Sequence, residues 1–95
     1  MKIIINEKTK QLYISNMIDN LAILRKSLGM TQAQLSERLG ITRQTMTSIE
    51  NRSRPLSWSN YLALCFLFEN ADESAPLLEL YDICPEIVRN YISMK

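Results

Sequence analysis

The chain of 95 residues contains no histidine. It also has no Cys-x-x-Cys spacing, no glycine-rich phosphate loop, and no serine or cysteine beside a recognisable catalytic base. Histidine is the usual acid–base group near neutral pH, and protein zinc sites are built mainly from histidine and paired cysteine. Nucleophilic catalysis likewise needs a nucleophile next to a base. The sequence therefore predicts a protein that is not an enzyme and that holds no metal and no cofactor.

Glycine and proline are scarce, with 2 and 3 residues, while 46% of the residues are hydrophobic. Few chain-breaking residues together with this apolar content are typical of a compact helical domain. A chain of 95 residues is expected to form one domain with a small core. A small core favours dimerisation as a further source of stability.

Long apolar runs are missing too, since no stretch approaches 18 consecutive apolar residues. The segment after Met1 is short and charged, unlike a secretory signal. We therefore expect a cytoplasmic protein without a membrane segment. The two cysteines, Cys65 and Cys84, lie in apolar surroundings, which favours two buried thiols; a disulfide between them is the alternative.

The net charge is only +1, but the charges are unevenly distributed. From Arg25 to Arg54 there are six basic and two acidic residues, a balance of +4. From Pro55 to Lys95 there are two basic and six acidic residues, a balance of −4. Such a dipole would turn the basic half towards a phosphate backbone and hold the acidic half away from it.

Residues 31–51, TQAQLSERLGITRQTMTSIEN, predict two short helices joined by a tight turn. Thr31 and Thr42 are candidate N-caps, and Gly40 is a candidate helix stop because glycine adopts positive φ without steric cost. One helix thus ends and another begins within about three residues, which is the spacing of a helix-turn-helix. The apolar residues place one narrow inner face on each helix; they are Leu35, Leu39, Ile41, Met46 and Ile49.

The outer face of the second short helix carries only side chains that form hydrogen bonds and includes no acid. These side chains are Arg43, Gln44, Thr47, Ser48 and Asn51. Arginine can make a bidentate contact to guanine, and glutamine can make one to adenine. A short helix with such a face suits the major groove of DNA.

This stretch resembles the Cro and phage-repressor class of helix-turn-helix proteins, often called the XRE family. The resemblance covers roughly Met17 to Phe68 and rests on the whole of LRKSLGMTQAQLSERLGITRQTMTSIENRSRPLSWSNYLAL. Two positions depart from the family pattern: Ser36 replaces the usual alanine, and Arg52 replaces the usual glycine after the second short helix. The resemblance implies an all-α, lambda-repressor-like five-helix DNA-binding domain, here with an extra C-terminal helix.

The resemblance also implies roles for individual residues. Arg43, Gln44 and Ser48 match the family's base-reading positions, with Thr47 close to them. An ion pair between Arg25 and Glu50 would fix the orientation of the helix-turn-helix relative to the first helix. The expected phosphate contacts come from both ends of the motif and are Gln32, Thr42, Asn51, Arg52, Ser53 and Arg54.

Residues 1–16 admit two interpretations. KIIIN and QLYIS around EKTK could form a hairpin, since isoleucine and tyrosine favour strands. Alternatively, Asn6 caps a helix that runs from about residue 8 to Leu28, and this is the interpretation that we favour. It aligns one helical stripe of apolar residues, namely Ile14, Met17, Ile18, Leu21, Leu24 and Leu28. We expect Ile3–Ile5 to be covered, either by the C-terminal helices or by a second subunit.

Pro55 interrupts the chain after the motif, and Ser57 is expected to cap the next helix. That helix is apolar nearly all round, which predicts burial on more than one side. A short helix is expected from Ser74 to Tyr81, and another from Pro85 to about Ser93. These last two helices could pack onto the preceding one, form a dimer interface, or do both.

The sequence thus predicts an all-α chain with a short N-terminal strand or extended arm as an option. Residues 1–16 form an arm or an extension of the first helix, 17–69 the DNA-binding core, and 70–95 a support or dimerisation segment. The expected function is a sequence-specific transcriptional regulator, a repressor, which binds double-stranded DNA as a homodimer on a palindromic operator. The alternative is a protein-interaction module, such as an antitoxin or adaptor, whose acidic, apolar C-terminal half binds a partner protein.

Overall fold

The computed structural model describes residues 3–94. Within them the chain forms six α-helices and no strand, which confirms the all-α prediction. The helices are α1 (Glu7–Ser27), α2 (Gln32–Leu39), α3 (Arg43–Glu50), α4 (Trp58–Glu69), α5 (Ala75–Leu80) and α6 (Glu86–Ser93). The first two residues of the expected N-terminal arm, Met1 and Lys2, and the positive charge counted at Lys95 lie outside the described residues.

The N-terminal region follows the helical interpretation. Asn6 caps α1, because its side-chain Oδ1 accepts the backbone N–H of Thr9 at 2.8 Å. The hairpin alternative is wrong for residues 3–16. Ile5 is buried in the core, but Ile4 is 77% exposed, so the C-terminal helices of the same chain do not cover the isoleucine run at that position.

The helix ends of the central motif lie where the sequence predicts them. Thr31 caps α2 in a capping box, in which its hydroxyl accepts the N–H of Gln34 and its own N–H donates to the Gln34 side chain. Thr42 caps α3 by accepting the N–H of Thr45 at 3.0 Å. Gly40 has φ +72°, and Ile41 N–H reaches back across it to the carbonyl of Ser36 at 3.0 Å, the bond of a Schellman motif.

The core lies where α1, α2, α3 and α4 meet. The predicted stripe on α1 is buried at Ile14, Met17, Leu21 and Leu24. Leu35, Met46 and Ile49 close the motif against it, with Leu39 and Ile41 partly buried beside them. From α4 the core receives Tyr61, Leu64, Cys65 and Phe68. Removing each of these apolar side chains from water stabilises the fold and fixes the angle between α2 and α3.

The C-terminal helices pack onto this core within the same chain. Leu78, Ile83 and Val88 are buried, and the Tyr61 hydroxyl donates to the carbonyl of Ile83 at 3.0 Å. Phe66, however, is 62% exposed. Helix α4 packs against α1, α2 and α5, which agrees with the predicted burial on more than one side, while the face that carries Phe66 remains in solvent.

The two cysteines are free, buried thiols, as the sequence favours. An interaction with the neighbouring Cys84 thiol, together with burial, raises the pKa of Cys65 far above its usual range. Burial likewise raises the pKa of Tyr61. No helix among the described residues is long and apolar enough to cross a membrane.

Candidate nucleic-acid interface

The four side chains predicted to read bases line one shallow depression on α3, with a volume of about 370 Å³. They are Arg43, Gln44, Thr47 and Ser48. The helix presents them because Met46 and Ile49 are buried on its opposite side. The first three side chains are exposed and Ser48 is partly buried. The structure thus brings the predicted group together on one solvent-facing surface.

A hydrogen bond joins this face to the start of α2. The Thr47 hydroxyl donates to Oε1 of Gln32 at 2.7 Å, and an alternative acceptor, the carbonyl of Arg43, lies 3.1 Å away. The side chain of Gln32 is therefore held against the middle of α3. Sequence reasoning missed this contact, because no local pattern links two residues that are 15 positions apart.

The N-terminus of α2 opens into a hollow of about 510 Å³ lined by Arg25, Thr31, Gln32, Ala33 and Arg43. The first backbone N–H groups of a helix have no partner inside that helix. Arg25, which is paired with Glu50, and Arg43, which has no carboxylate partner, line the same hollow. Such a surface can attract an anion, a phosphate group above all.

The other predicted phosphate contacts flank α3 at both ends. Thr42 lies before the helix, where its hydroxyl caps the first turn. Asn51 and Ser53 lie after it, and Asn51 Oδ1 accepts the N–H of Ser53 at 3.0 Å. Arg54 Nη1 donates to the Thr45 hydroxyl at 3.3 Å, which holds its guanidinium near the first turn of α3. All four side chains with a predicted phosphate role here are exposed.

Arg52 has a different environment from the other predicted phosphate contacts. Its φ is +67°, so it occupies the left-handed position that ends α3. Its guanidinium lies against α1, where Nη2 donates to the carbonyl of Ser15 at 3.2 Å and to the carboxylate of Asp19. Sequence reasoning did not single out Asp19. One feature of the sequence could have indicated its role: Asp19 has no basic residue three or four positions away on α1, so its carboxylate has no ion-pair partner on that helix.

Arg25 and Glu50 join α1 to α3 through two hydrogen bonds. Arg25 Nε lies 3.0 Å from Oε2 of Glu50, and Nη2 lies 3.2 Å from Oε1. The third guanidinium nitrogen donates to the carbonyl of Met30 at 3.0 Å. Both charged side chains are only 12% exposed. The pair therefore ties the end of the exposed helix to the scaffold.

The ion pairs show which arginines near α3 have no carboxylate partner. Arg25 and Arg52 each have a carboxylate partner. Within residues 3–94, no carboxylate lies within ion-pair distance of Arg43 or Arg54. One uncompensated guanidinium thus belongs to the first residue of α3, and the other, that of Arg54, lies near the first turn of the same helix.

Comparison with known proteins gives one match. A family model described as a helix-turn-helix domain matches residues 19–76, from α1 into α5 and more than half of the chain. No match was found among curated proteins or among solved structures.

Proposed function

From the premise that this chain belongs to the helix-turn-helix domain family, we propose that it is a sequence-specific DNA-binding transcriptional regulator. The observation that carries the proposal is the outer face of α3, where Arg43, Gln44, Thr47 and Ser48 line one surface. No acidic side chain interrupts that surface, and two uncompensated arginines, Arg43 and Arg54, have their guanidinium groups near its N-terminal end. Helix α3 would enter the major groove and present these side chains to base edges.

The dimensions and chemistry of α3 support this docking. An α-helix with its side chains is about 10–12 Å across, which fits the major groove of about 12 Å, and α3 is a helix of eight residues. Arg43 and Gln44 lie in the first turn, where recognition helices contact bases. Arg43 would donate both hydrogen bonds to a guanine, and Gln44 would pair with an adenine. Thr47 and Ser48, one turn further along, would contact the adjacent bases.

Phosphate contacts would fix the register of the helix in the groove. At one end, Gln32 and the first N–H groups of α2 would bind one phosphate. Thr42 and the Arg54 guanidinium near the first turn of α3 would bind a neighbouring phosphate. Asn51 and Ser53, beyond the other end of α3, would bind another. These contacts position the domain without reading sequence. Arg52 was expected in this group, but in the structure its guanidinium is held by Asp19.

Within this function, we assign the chain to the XRE class. It would be a repressor that binds a palindromic operator as a homodimer. Two-fold related copies of α3 would then read half-sites about 10 base pairs apart. The motif sequence supports the class. Exposed apolar side chains in the last two helices and at their junction support a contact between copies: Leu80 is 72% exposed, and Tyr81 and Ile87 are each 42% exposed.

A division of labour within the chain follows from this proposal. Residues 17–69 would form the DNA-binding core, and residues 70–95 would support it and hold the second copy. The predicted boundary at residue 16 falls inside α1. Residues 7–16 would therefore act as an extension of the first helix, and only the few residues before them would form an arm.

A second candidate function is the binding of another protein through the acidic half, as in an antitoxin or adaptor. The exposed Phe66 on α4 favours it, because it adds an apolar side chain to a region whose charges are mainly negative. Unlike the first proposal, this one does not require DNA. A purified partner that binds the chain in the absence of DNA would support it.

Selection of bound sequences from random DNA tests the first proposal, combined with light scattering to determine the oligomeric state. The expected result is a short palindromic consensus bound by two copies of the chain. Enrichment of no sequence above background would contradict sequence-specific binding. A consensus without two-fold symmetry, bound by a single copy, would contradict the dimer alone.

A further inference from the structure

The contact between Asp19 and Arg52 connects the surface of α1 to the end of α3, and the proposed function leaves it unused. Asp19 lies in α1 and Arg52 lies two residues beyond the last residue of α3. Arg52 Nη2 contacts both the Asp19 carboxylate and the carbonyl of Ser15. The same guanidinium belongs, by its place in the chain, to the group expected to meet DNA phosphates.

The backbone fixes where the Arg52 side chain starts. The N–H of Arg52 donates to the carbonyl of Ile49 at 3.1 Å, and that of Ser53 donates to the carbonyl of Ser48 at 2.9 Å. These are the two bonds of a Schellman motif with Arg52 at its left-handed position. The side chain therefore leaves a defined point, and its direction depends on what holds the guanidinium.

Asp19 has no other positive charge to neutralise it within α1. The residues three and four positions away are Ser15, Asn16, Ala22 and Ile23. Among the described residues, Arg52 is the basic side chain that lies within ion-pair distance of Asp19. The pair is largely in water, with the two side chains 47% and 62% exposed. Exposed pairs of this kind are weak and exchange partners readily.

We propose that Asp19 is a counter-charge that restrains DNA affinity by holding Arg52 away from the phosphate backbone. This inference rests on the proposed DNA-binding function. A phosphate that approaches the end of α3 competes with the Asp19 carboxylate for the same guanidinium. The carboxylate also repels that phosphate, because two such groups at the surface interact within a screening length of about 8 Å at physiological salt.

The effect of Asp19 is on affinity and not on sequence preference. Phosphates are present in every DNA sequence, so a cation released to them strengthens binding to all sequences alike. Without Asp19 the protein would bind target and random DNA more tightly by about the same factor, so it would leave both more slowly. The ion pair thus keeps the non-specific part of the affinity low while the outer face of α3 reads the bases.

Asp19→Asn tests the inference directly, because asparagine has nearly the same shape as aspartate and can still accept a hydrogen bond from Arg52. Binding is measured for a selected duplex and for a random duplex over a range of salt concentrations. At about 0.15 M salt we expect both duplexes to bind roughly two- to fivefold more tightly. We expect the slope of log affinity against log salt to steepen by about one.

Two further variants separate this mechanism from a general change in charge. Asp72→Asn removes one negative charge from the acidic half and should leave both affinities unchanged. In the double variant with Asp19→Asn and Arg52→Gln, the gain in affinity should disappear, because Arg52 is the group that Asp19 releases. Thermal unfolding of each variant shows that the fold is retained.

The outcomes are distinct. Unchanged or weaker binding by Asp19→Asn would overturn the inference, as would a gain that persists when Arg52 is also replaced. Tighter binding to the selected duplex alone would overturn it as well, since the effect is on phosphates. Failure of the wild-type protein to bind any duplex would instead overturn the proposed function, and the inference with it.

Discussion

Arg25 and Glu50 meet through two hydrogen bonds, of 3.0 and 3.2 Å, with only 12% of each side chain exposed. The pair joins the last turn of α1 to the last residue of α3. It therefore sets the orientation of the helix that presents the candidate DNA-binding face. A buried pair adds little net stability compared with apolar residues of the same size, but the loss of one partner strands a charge.

We expect Glu50→Ala to lower the free energy of unfolding by about 2–4 kcal/mol, because the guanidinium of Arg25 is left without its counter-ion. Glu69→Ala is the matched control, since it breaks the exposed pair with Arg89 and should cost less than about 1 kcal/mol. Denaturant unfolding measures both. Equal losses in the two variants would show that the Arg25–Glu50 pair has no special structural role.

The left-handed residues at the helix ends should respond to substitution in opposite directions. Gly40 has φ +72°, and a Cβ there would meet nothing within 4 Å. Gly40→Ala should therefore destabilise the fold by about 1 kcal/mol through backbone conformation alone. Arg52→Gly should stabilise the protein by about 0.5–1 kcal/mol, because relief of the left-handed conformation exceeds the loss of an exposed ion pair. Thermal unfolding without DNA measures both, and a destabilised Arg52→Gly would refute this balance.

The bond between Gln32 and Thr47 should matter for binding more than for stability. Thr47→Val keeps the shape of the side chain but removes the hydroxyl that donates to Gln32 at 2.7 Å. Because the site is exposed, the free energy of unfolding should change by less than about 0.5 kcal/mol. DNA affinity should fall about three- to tenfold, because Gln32 is no longer held beside the phosphate position. Thr47→Ser should restore the affinity; if the valine variant binds as tightly as the wild type, the bond is not used.

Stability should decrease in alkaline solution. In the folded chain the pKa of Cys65 is raised by its interaction with Cys84 and by burial, and the pKa of Tyr61 is raised by burial. In the unfolded chain these groups ionise near their ordinary values of 9.0 and 10.0. The free energy of unfolding should thus be constant up to about pH 9 and then fall by about 1.4 kcal/mol per pH unit because of Cys65. Above about pH 10, Tyr61 should add a further decrease of about 1.4 kcal/mol per pH unit. Cys65→Ser should remove the first part of this decrease, and unfolding that is independent of pH up to 10.5 would contradict it.

The helix boundaries of the motif could be predicted because single residues mark them. Thr31 and Thr42 bond the first turns of α2 and α3, and Gly40 adopts the positive φ that ends α2. The outer face of α3 could be predicted as well, because the helical period separates it from Met46 and Ile49. Each of these features depends on residues that are close together in the chain, so the sequence alone indicates it.

The parts that could not be predicted depend on contacts between distant residues. Arg52 and Asp19 are 33 positions apart, and nothing local shows that an arginine in the left-handed position would bind α1. The exposure of Phe66 could not be predicted either. The composition of α4 is apolar on nearly every side, so only the packing of α5 and α6 decides which side stays in solvent.

The central claim is that the outer face of α3 chooses the DNA sequence while the residues around it supply general affinity. The most direct test compares the affinities of wild type, Arg43→Ala and Arg54→Ala for a selected duplex and for one with a substituted guanine, at a fixed salt concentration. Arg43→Ala should lose about 1–3 kcal/mol of discrimination between the two duplexes. Arg54→Ala should weaken both equally and keep their ratio. Both variants binding both duplexes as the wild type does would contradict the claim.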